Sequence, residues 1–483
     1  MSVSRRTFLQ WAAAATTMAP SRSLFAAAAP LALRPGLLPS EKAVWDQQVW
    51  MAKLGPKYTG NKAHTEFVEF LAREIQAAGL DVQRERYTLP RWEARRSEIA
   101  VTPVHGTRFT VPVTSYFPYS GQTAAAGVTG ELAYAGAGPK FDLNNLKGRI
   151  ALVECPTNVR QWGEEYRAWG VYPSTETFPA SYRPARASVN DLTQFQKAGA
   201  VAVILVWTDI SDANAKDQYS PFSRPPQGIP GLYVGRQTGG RLRELAGGGA
   251  TVTLVLEADV TPDTPTDTLV ATLPGTSSDE IIILNTHTDG PNATEENGAL
   301  GILALMKYFA KIPKAERRRT IVCPLTTGHF AGPWVPSIRG FITKYPEVIR
   351  KAVAAVTVEH LGCMEWADDA SMQYRATGKE DWAVAITPSK PMGGILVDAC
   401  QGSAARRTAV VNPVAGGFLG EGSSLSRAGI PTIGYIPQPN YLLAGPPDGC
   451  IEKLSSKLMH AQIEVFAKAI HAIDAMTAAQ LKG

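Results

Sequence analysis

The chain has seven histidines, and three of them lie at or just beyond the ends of apolar runs. His287 and Asp289 follow the run 281–284, His329 follows 320–325, and Glu359 and His360 follow 353–358. A carboxylate pair, Glu295 and Glu296, precedes the helical stretch that opens at Gly298. Neutral imidazole and carboxylate are donors for divalent zinc, at about 2.0–2.2 Å. A carboxylate two residues beyond a ligating histidine can accept the other ring N–H and fix its tautomer, which gives Asp289 a place beside His287. These residue types therefore point to a bound divalent metal at a site shared between several strand ends.

The elements that must position them are legible from hydrophobic pattern. The runs 281–284, 320–325, 353–358 and 431–436 are apolar without alternation, as strands covered on both faces are. Helical stretches at 298–311 and 452–476 alternate with them. This order predicts an α/β fold with a mixed, mostly parallel sheet flanked by helices. Ligands of such sheets bind at the carboxyl ends of the strands, so the three clusters should converge on one crevice. Upstream, 61–79 reads as an amphipathic helix, with Phe67, Phe70, Leu71 and Ile75 on one face and Gly79 as its stop. Residues 81–115 carry strand-like patches broken by Pro and Arg. From 116 to 262 the texture changes to Gly, Pro and Tyr with short β-like runs and one helix near 189–198, a β-rich module. The Pro-rich segment 260–268 reads as the linker that closes it. The domain plan is then one domain in two pieces, 40–115 and 263–480, around an inserted module at 116–262.

Composition narrows the function classes. The chain has 483 residues, 45% hydrophobic and 19% charged, which is globular. Its net charge is +5, and three of the positives (Arg5, Arg6 and Arg22) lie near the amino terminus. No basic stripe remains for nucleic acid, and no apolar run has the roughly 18 residues of a membrane span. The opening Ser-Arg-Arg-Thr-Phe-Leu-Gln at 4–10, an Ala-rich apolar stretch and small residues at 26–29 resemble a twin-arginine signal over residues 1–29. The resemblance implies a periplasmic or secreted protein. The five cysteines include no C-x-x-C pair, so neither a redox motif nor a thiolate-zinc site is expected.

The stretch HTDGPNATEENGALGILALMKYFA (287–310) resembles the metal-binding core of the co-catalytic zinc aminopeptidases, whose pattern is His-x-Asp followed by an Asp-Asn that opens a helix. Residues 54–89 resemble that family's opening helix and strand. GVTGELAYAGAG, FDLNNLKGRIALVECP and FQKAGAVAVILV resemble the protease-associated domain often inserted in it. The family holds two zinc ions that share a bridging carboxylate. Transferred by position, the resemblance makes His287 a metal ligand, Asp289 its orienting partner, Glu296 the bridging carboxylate and Glu359 the later acidic ligand. The other half departs from the pattern. Where a Glu-Glu pair should follow Gly328, the sequence has His329 and Phe330, and Ala444 stands where a late histidine belongs. Both private ligands of one ion are missing, while the other ion keeps its set.

The expectation is a single-metal site of His287, Glu296 and Glu359 holding one divalent ion, zinc by resemblance. His329 would be the general base or a fourth ligand. The implied function is an exported metal-dependent hydrolase of a peptide or other small-molecule amide or ester; the alternative is a non-catalytic binding protein on the same fold. The inserted module would shape the mouth of the site or mediate a homodimer. Glu421, Ser423 and Ser424 are candidates for lining the crevice or for capping a helix. His360, adjacent to Glu359 on a continuing strand, would point to the opposite face as a structural residue. For Glu295, solvent exposure and support of a ligand are both open.

Overall fold

The computed structural model describes residues 32–158, 161–172, 179, 187–219, 226–414 and 417–483. The export segment read at 1–29 lies outside these residues. The four apolar runs form parallel strands: Arg319–Thr326, Ser277–His287, Ala352–Val358 and Thr432–Tyr435 are neighbours in that order. Thr251–Leu273 pairs antiparallel with Arg319–Thr326 on one side. On the other side Ala383–Ile386 runs antiparallel to Thr432–Tyr435 and parallel to Thr408–Pro413. The fold is thus a mixed, mostly parallel sheet covered by helices, as the strand-helix alternation predicts.

One face of the sheet is covered by Glu41–Lys53, Lys62–Ala77, Gly298–Ala310, Lys390–Cys400 and Ser456–Ala475, whose apolar sides share a single core with the strands. Lys62–Ala77 starts where Asn61 accepts the His64 N–H and stops before Gly79 at φ 82°. Gly298–Ala310 is buried on almost every side. It packs closely because Gly298 has no side chain: a Cβ there would fall on the Val358 carbonyl oxygen.

Two readings are corrected. The segment 260–268 is no linker; it lies within the 23-residue strand Thr251–Leu273. That strand pairs along nearly its whole length with the 22-residue Asp81–Thr102, with register shifts at Leu89/Arg91 and Ala94/Arg96. Pro90 falls in the first shift and Pro262 opposite it, so the prolines occupy the irregularity where a ladder N–H is dispensable. The second correction concerns the middle stretch. Val128–Ala137, Ile150–Cys155, Ala202–Trp207 and Gly231–Val234 run parallel to one another, and a helix at Arg236–Ala246 packs on them. This lobe is α/β, because its strands are buried on both faces and need helical cover. It joins the main sheet through Val128–Ala137 against Thr251–Leu273. Tyr166–Tyr172, also from the middle stretch, adds an antiparallel edge strand to Thr408–Pro413.

Candidate metal centre

His287 ends its strand, Glu359 follows directly after Val358, and His329 lies beyond Thr326, so the three strand ends meet at one edge of the sheet. His287 and Glu359 are buried, and His287 Nε2 lies 3.5 Å from Glu359 Oε2. His360 joins them. It adopts φ 57°, so the strand does not continue through it and its ring turns back to the side of Glu359. Asn297 holds that turn: its side chain accepts the Leu361 N–H at 2.7 Å and donates to the Leu361 carbonyl at 2.9 Å. His360 Nε2 lies 3.1 Å from Glu295 Oε2 and 3.9 Å from Glu359 Oε2. Donor atoms of His287, Glu295 and His360 all lie within 4.8 Å of one another.

The two histidines share one arrangement. Nδ1 of His287 is 2.8 Å from the Asp289 carbonyl oxygen, and Nδ1 of His360 is 2.6 Å from the Pro437 carbonyl oxygen. A carbonyl only accepts, so both Nδ1 atoms carry the proton and both Nε2 atoms present a lone pair. These lone pairs face the carboxylates of Glu359 and Glu295. His287 Nε2, His360 Nε2, Glu295 Oε2 and Glu359 Oε2 are buried without a hydrogen bond. Lone pairs facing anions in a buried space call for a cation between them, either a proton or a metal. Burial opposes protonation of His287 most strongly, yet Glu359, Glu295 and Asp289 outweigh it and raise the group to about 10. Burial likewise opposes the charged form of His360, and Glu295 and Glu359 reverse the balance upward. The spacing suits a metal too. Two donors on one tetrahedral zinc lie about 3.3–3.6 Å apart, and the separations here are 3.1, 3.5 and 3.9 Å. The residue types therefore suit a zinc-like ion, with His287, Glu295 and His360 the group whose donor atoms lie together.

Glu296 pairs with a lysine. Its Oε1 is 2.6 Å from Lys57 Nζ, and both side chains are 0% exposed. Nζ also donates to the Gly55 carbonyl at 2.7 Å and the Met51 carbonyl at 3.3 Å. Backbone bonds fix the lysine in place: Lys57 N–H to Gly290 O at 2.8 Å and Gly290 N–H to Lys57 O at 3.0 Å. Burial alone draws Lys57 down to about 7, and the carboxylate in contact favours the charged form. Glu296 Oε1 thus meets a cation supplied by the chain, while its Oε2 is buried without a hydrogen bond.

Asp289 also acts differently from the reading. Its backbone carbonyl, not its carboxylate, meets His287. The carboxylate accepts from the backbone N–H groups of Gly328, His329 and Phe330 at 3.1, 3.3 and 3.2 Å, and from Thr59 Oγ1 at 2.6 Å. It therefore shapes the turn that carries His329. The His329 ring stacks on His287 with centroids 4.1 Å apart and planes 9° apart. His329 Nδ1 is 2.7 Å from Glu421 Oε1. Glu421 is buried and also accepts from Ser337 Oγ at 3.0 Å and Thr326 Oγ1 at 3.1 Å. Burial opposes its charge, but His329 overcomes that and lowers Glu421 to about 2. The Glu421 N–H donates to Glu359 Oε1 at 3.0 Å, which ties this network to the donor cluster. Phe330 is buried edge-on against His287, with centroids 5.9 Å apart. Ala444 is buried, and its carbonyl accepts from Asn292. His64 is buried, and its Nε2 lies 2.9 Å from Thr288 Oγ1.

No family model matches the chain, and no curated protein matches it in sequence. Solved structures do match. "Peptidase M28 precursor" from Shewanella amazonensis SB2B has a TM-score of 0.65 at 15% identity, covering 91% of this chain and 98% of that one. BSAP, a zinc aminopeptidase from Bacillus subtilis, has a TM-score of 0.60 at 16% identity, over 91% and 98%. An aminopeptidase from Aneurinibacillus sp. strain AM-1 has a TM-score of 0.59 at 15% identity, over 89% and 93%. At this identity the likeness defines the fold, a mixed α/β sheet flanked by helices that this chain shares with those peptidases.

Proposed function

We propose that the protein is a metal-dependent hydrolase of a peptide or other amide bond, built around one divalent ion, zinc by analogy with BSAP. The carrying observation is the set of four buried, unpaired donor atoms on His287, Glu295, Glu359 and His360. These four residues would hold the ion. Lys57 supports a count of one, because its Nζ already contacts Glu296 Oε1. A zinc ion there would supply Lewis acidity toward a carbonyl and lower the pKa of water. The chain's own part is proton transfer and alignment. With Nδ1 committed to Glu421, His329 presents Nε2 as the basic nitrogen, able to take a proton from attacking water and return it to the leaving amine. Glu421, fixed by Ser337 and Thr326, holds the ring in that tautomer and supports the imidazolium that forms. Asp289 sets the height of the turn through three N–H groups. The Arg5-Arg6 sequence supports export by the twin-arginine route to the periplasm or beyond. Among the described residues no helix is long and apolar enough to cross a membrane.

The test is hydrolysis of a panel of dipeptides and N-acyl amino acids by protein loaded with zinc. We expect turnover that a chelator abolishes. Glu421→Gln should lower kcat about 10–100-fold with little change in KM, since it removes alignment rather than binding. The second reading, a binding protein without catalysis, draws on Phe330 packed against His287. Bound metal with no turnover on the whole panel would favour it.

A further inference from the structure

A pocket of about 170 Å³ opens beside His329. At roughly 30 Å³ per water molecule it has room for about six waters, the size of a carboxylate with a short side chain. His329, Ser337, Ser423 and Ser424 line it, with Arg339 and Arg427. Both arginines are exposed. Arg427 reaches Ser424 Oγ at 3.3 Å, and among the described residues neither guanidinium has a carboxylate partner. Glu421 is the one acid on the lining, and His329, Ser337 and Thr326 already occupy its oxygens. The lining therefore carries two arginines and several serines, the residue types that recognise a carboxylate. It is close to the donor cluster, because His329, one of its lining residues, stacks its ring on His287.

The charges elsewhere in the site point the same way. A free substrate ammonium would need an unengaged carboxylate. Glu296 meets Lys57 through Oε1, and Glu421 meets His329. Glu295 and Glu359 face the two histidines.

We propose that this pocket is a carboxylate subsite. Resting on the hydrolase reading above, the substrate is then an amide with a free carboxylate within a few bonds of the scissile carbonyl, an N-acyl amino acid or a peptide carboxyl terminus. A substrate anchored by a free amine is disfavoured.

The test is equilibrium binding to the intact zinc-loaded protein, by calorimetry, of two probes: N-benzoylglycine and its carboxamide. The free acid should bind at least 10-fold more tightly. In Arg339→Gln/Arg427→Gln the advantage should fall below about 2-fold, while Arg406→Gln, an exposed arginine elsewhere, should retain it. A melting temperature equal to wild type shows that the double variant is folded. Equal affinity of the two probes for wild type, or an advantage that survives in the double variant, overturns the subsite. The hydrolase reading fails separately: turnover of the acid and the carboxamide at equal efficiency would remove the subsite and leave the hydrolase, whereas preferred binding of the acid with no turnover of either would do the reverse.

Discussion

At the scale of single residues, the site depends on which buried charges find partners. Lys57 and Glu296 form a pair with no solvent contact. Removing one member of such a pair leaves the other uncompensated, at a cost of about 3–5 kcal/mol. Lys57→Met should lose that much by urea denaturation, and Lys57→Met/Glu296→Gln should regain at least half. A double variant no more stable than the single would show that the two are not paired. Asp381 makes a second case. Oδ1 accepts the Trp382 N–H at 2.8 Å, Oδ2 has no hydrogen-bond partner, and burial raises the group from 3.8 to about 7. Below about pH 4 the carboxyl is protonated in both folded and unfolded chains. Between about 4 and 7 the unfolded chain releases its proton while the folded one keeps it, so stability falls as pH rises. Asp381→Asn should therefore stabilise at pH 8 by about 1–3 kcal/mol, with the gain vanishing near pH 4. A gain independent of pH would refute the assignment. His287 and Glu359 are legible in the sequence because each directly follows or ends a buried run. Lys57 is not, because its partner lies far along the chain and nothing local marks a lysine that will be buried. His360 misleads for a different reason: alternation puts it on the far face, but a φ of 57° ends the alternation one residue early.

At the scale of elements, the site depends on how closely Gly298–Ala310 approaches Ala352–Val358. The helix leads back to Glu295 and the strand leads on to Glu359, so their separation sets the spacing of the donors. Gly298→Ala would put a methyl on the Val358 carbonyl oxygen and force the two apart. We expect a loss of about 1–3 kcal/mol by thermal unfolding, and weaker zinc binding in competition with a chromogenic chelator. Unchanged zinc affinity would mean that the donors do not depend on this contact. Buried strands and amphipathic helices declare themselves by period and run length, which is why the four central strands are legible. The ribbon of Asp81–Thr102 and Thr251–Leu273 does not, since Pro90 and Pro262 read as breaks until the register shift that accommodates them is known. The short strands Ala383–Ile386 and Thr408–Pro413 lie among polar and glycine-rich residues and give no such signal.

At the scale of the whole molecule, the middle lobe and the sheet that bears the site are continuous. Tyr166–Tyr172 closes one edge of the main sheet. The lobe also reaches the loop before Asp448: Tyr219 N–H donates to the Leu443 carbonyl at 2.7 Å, and Gly445 N–H to the Asp217 carbonyl at 2.8 Å. That loop carries Ala444, and Asn292 donates to three of its carbonyls, at Tyr441, Leu442 and Ala444. Here the chain uses backbone contacts to join its parts, at the place where the family resemblance expects a metal ligand. Together with Lys57 on Glu296, this supports the central claim that the centre takes one ion. The most direct test is metal content per chain, by elemental mass spectrometry on protein purified without chelator. We expect one divalent ion, lost in His287→Ala and in Glu359→Ala. Two ions per chain, or none, would contradict it.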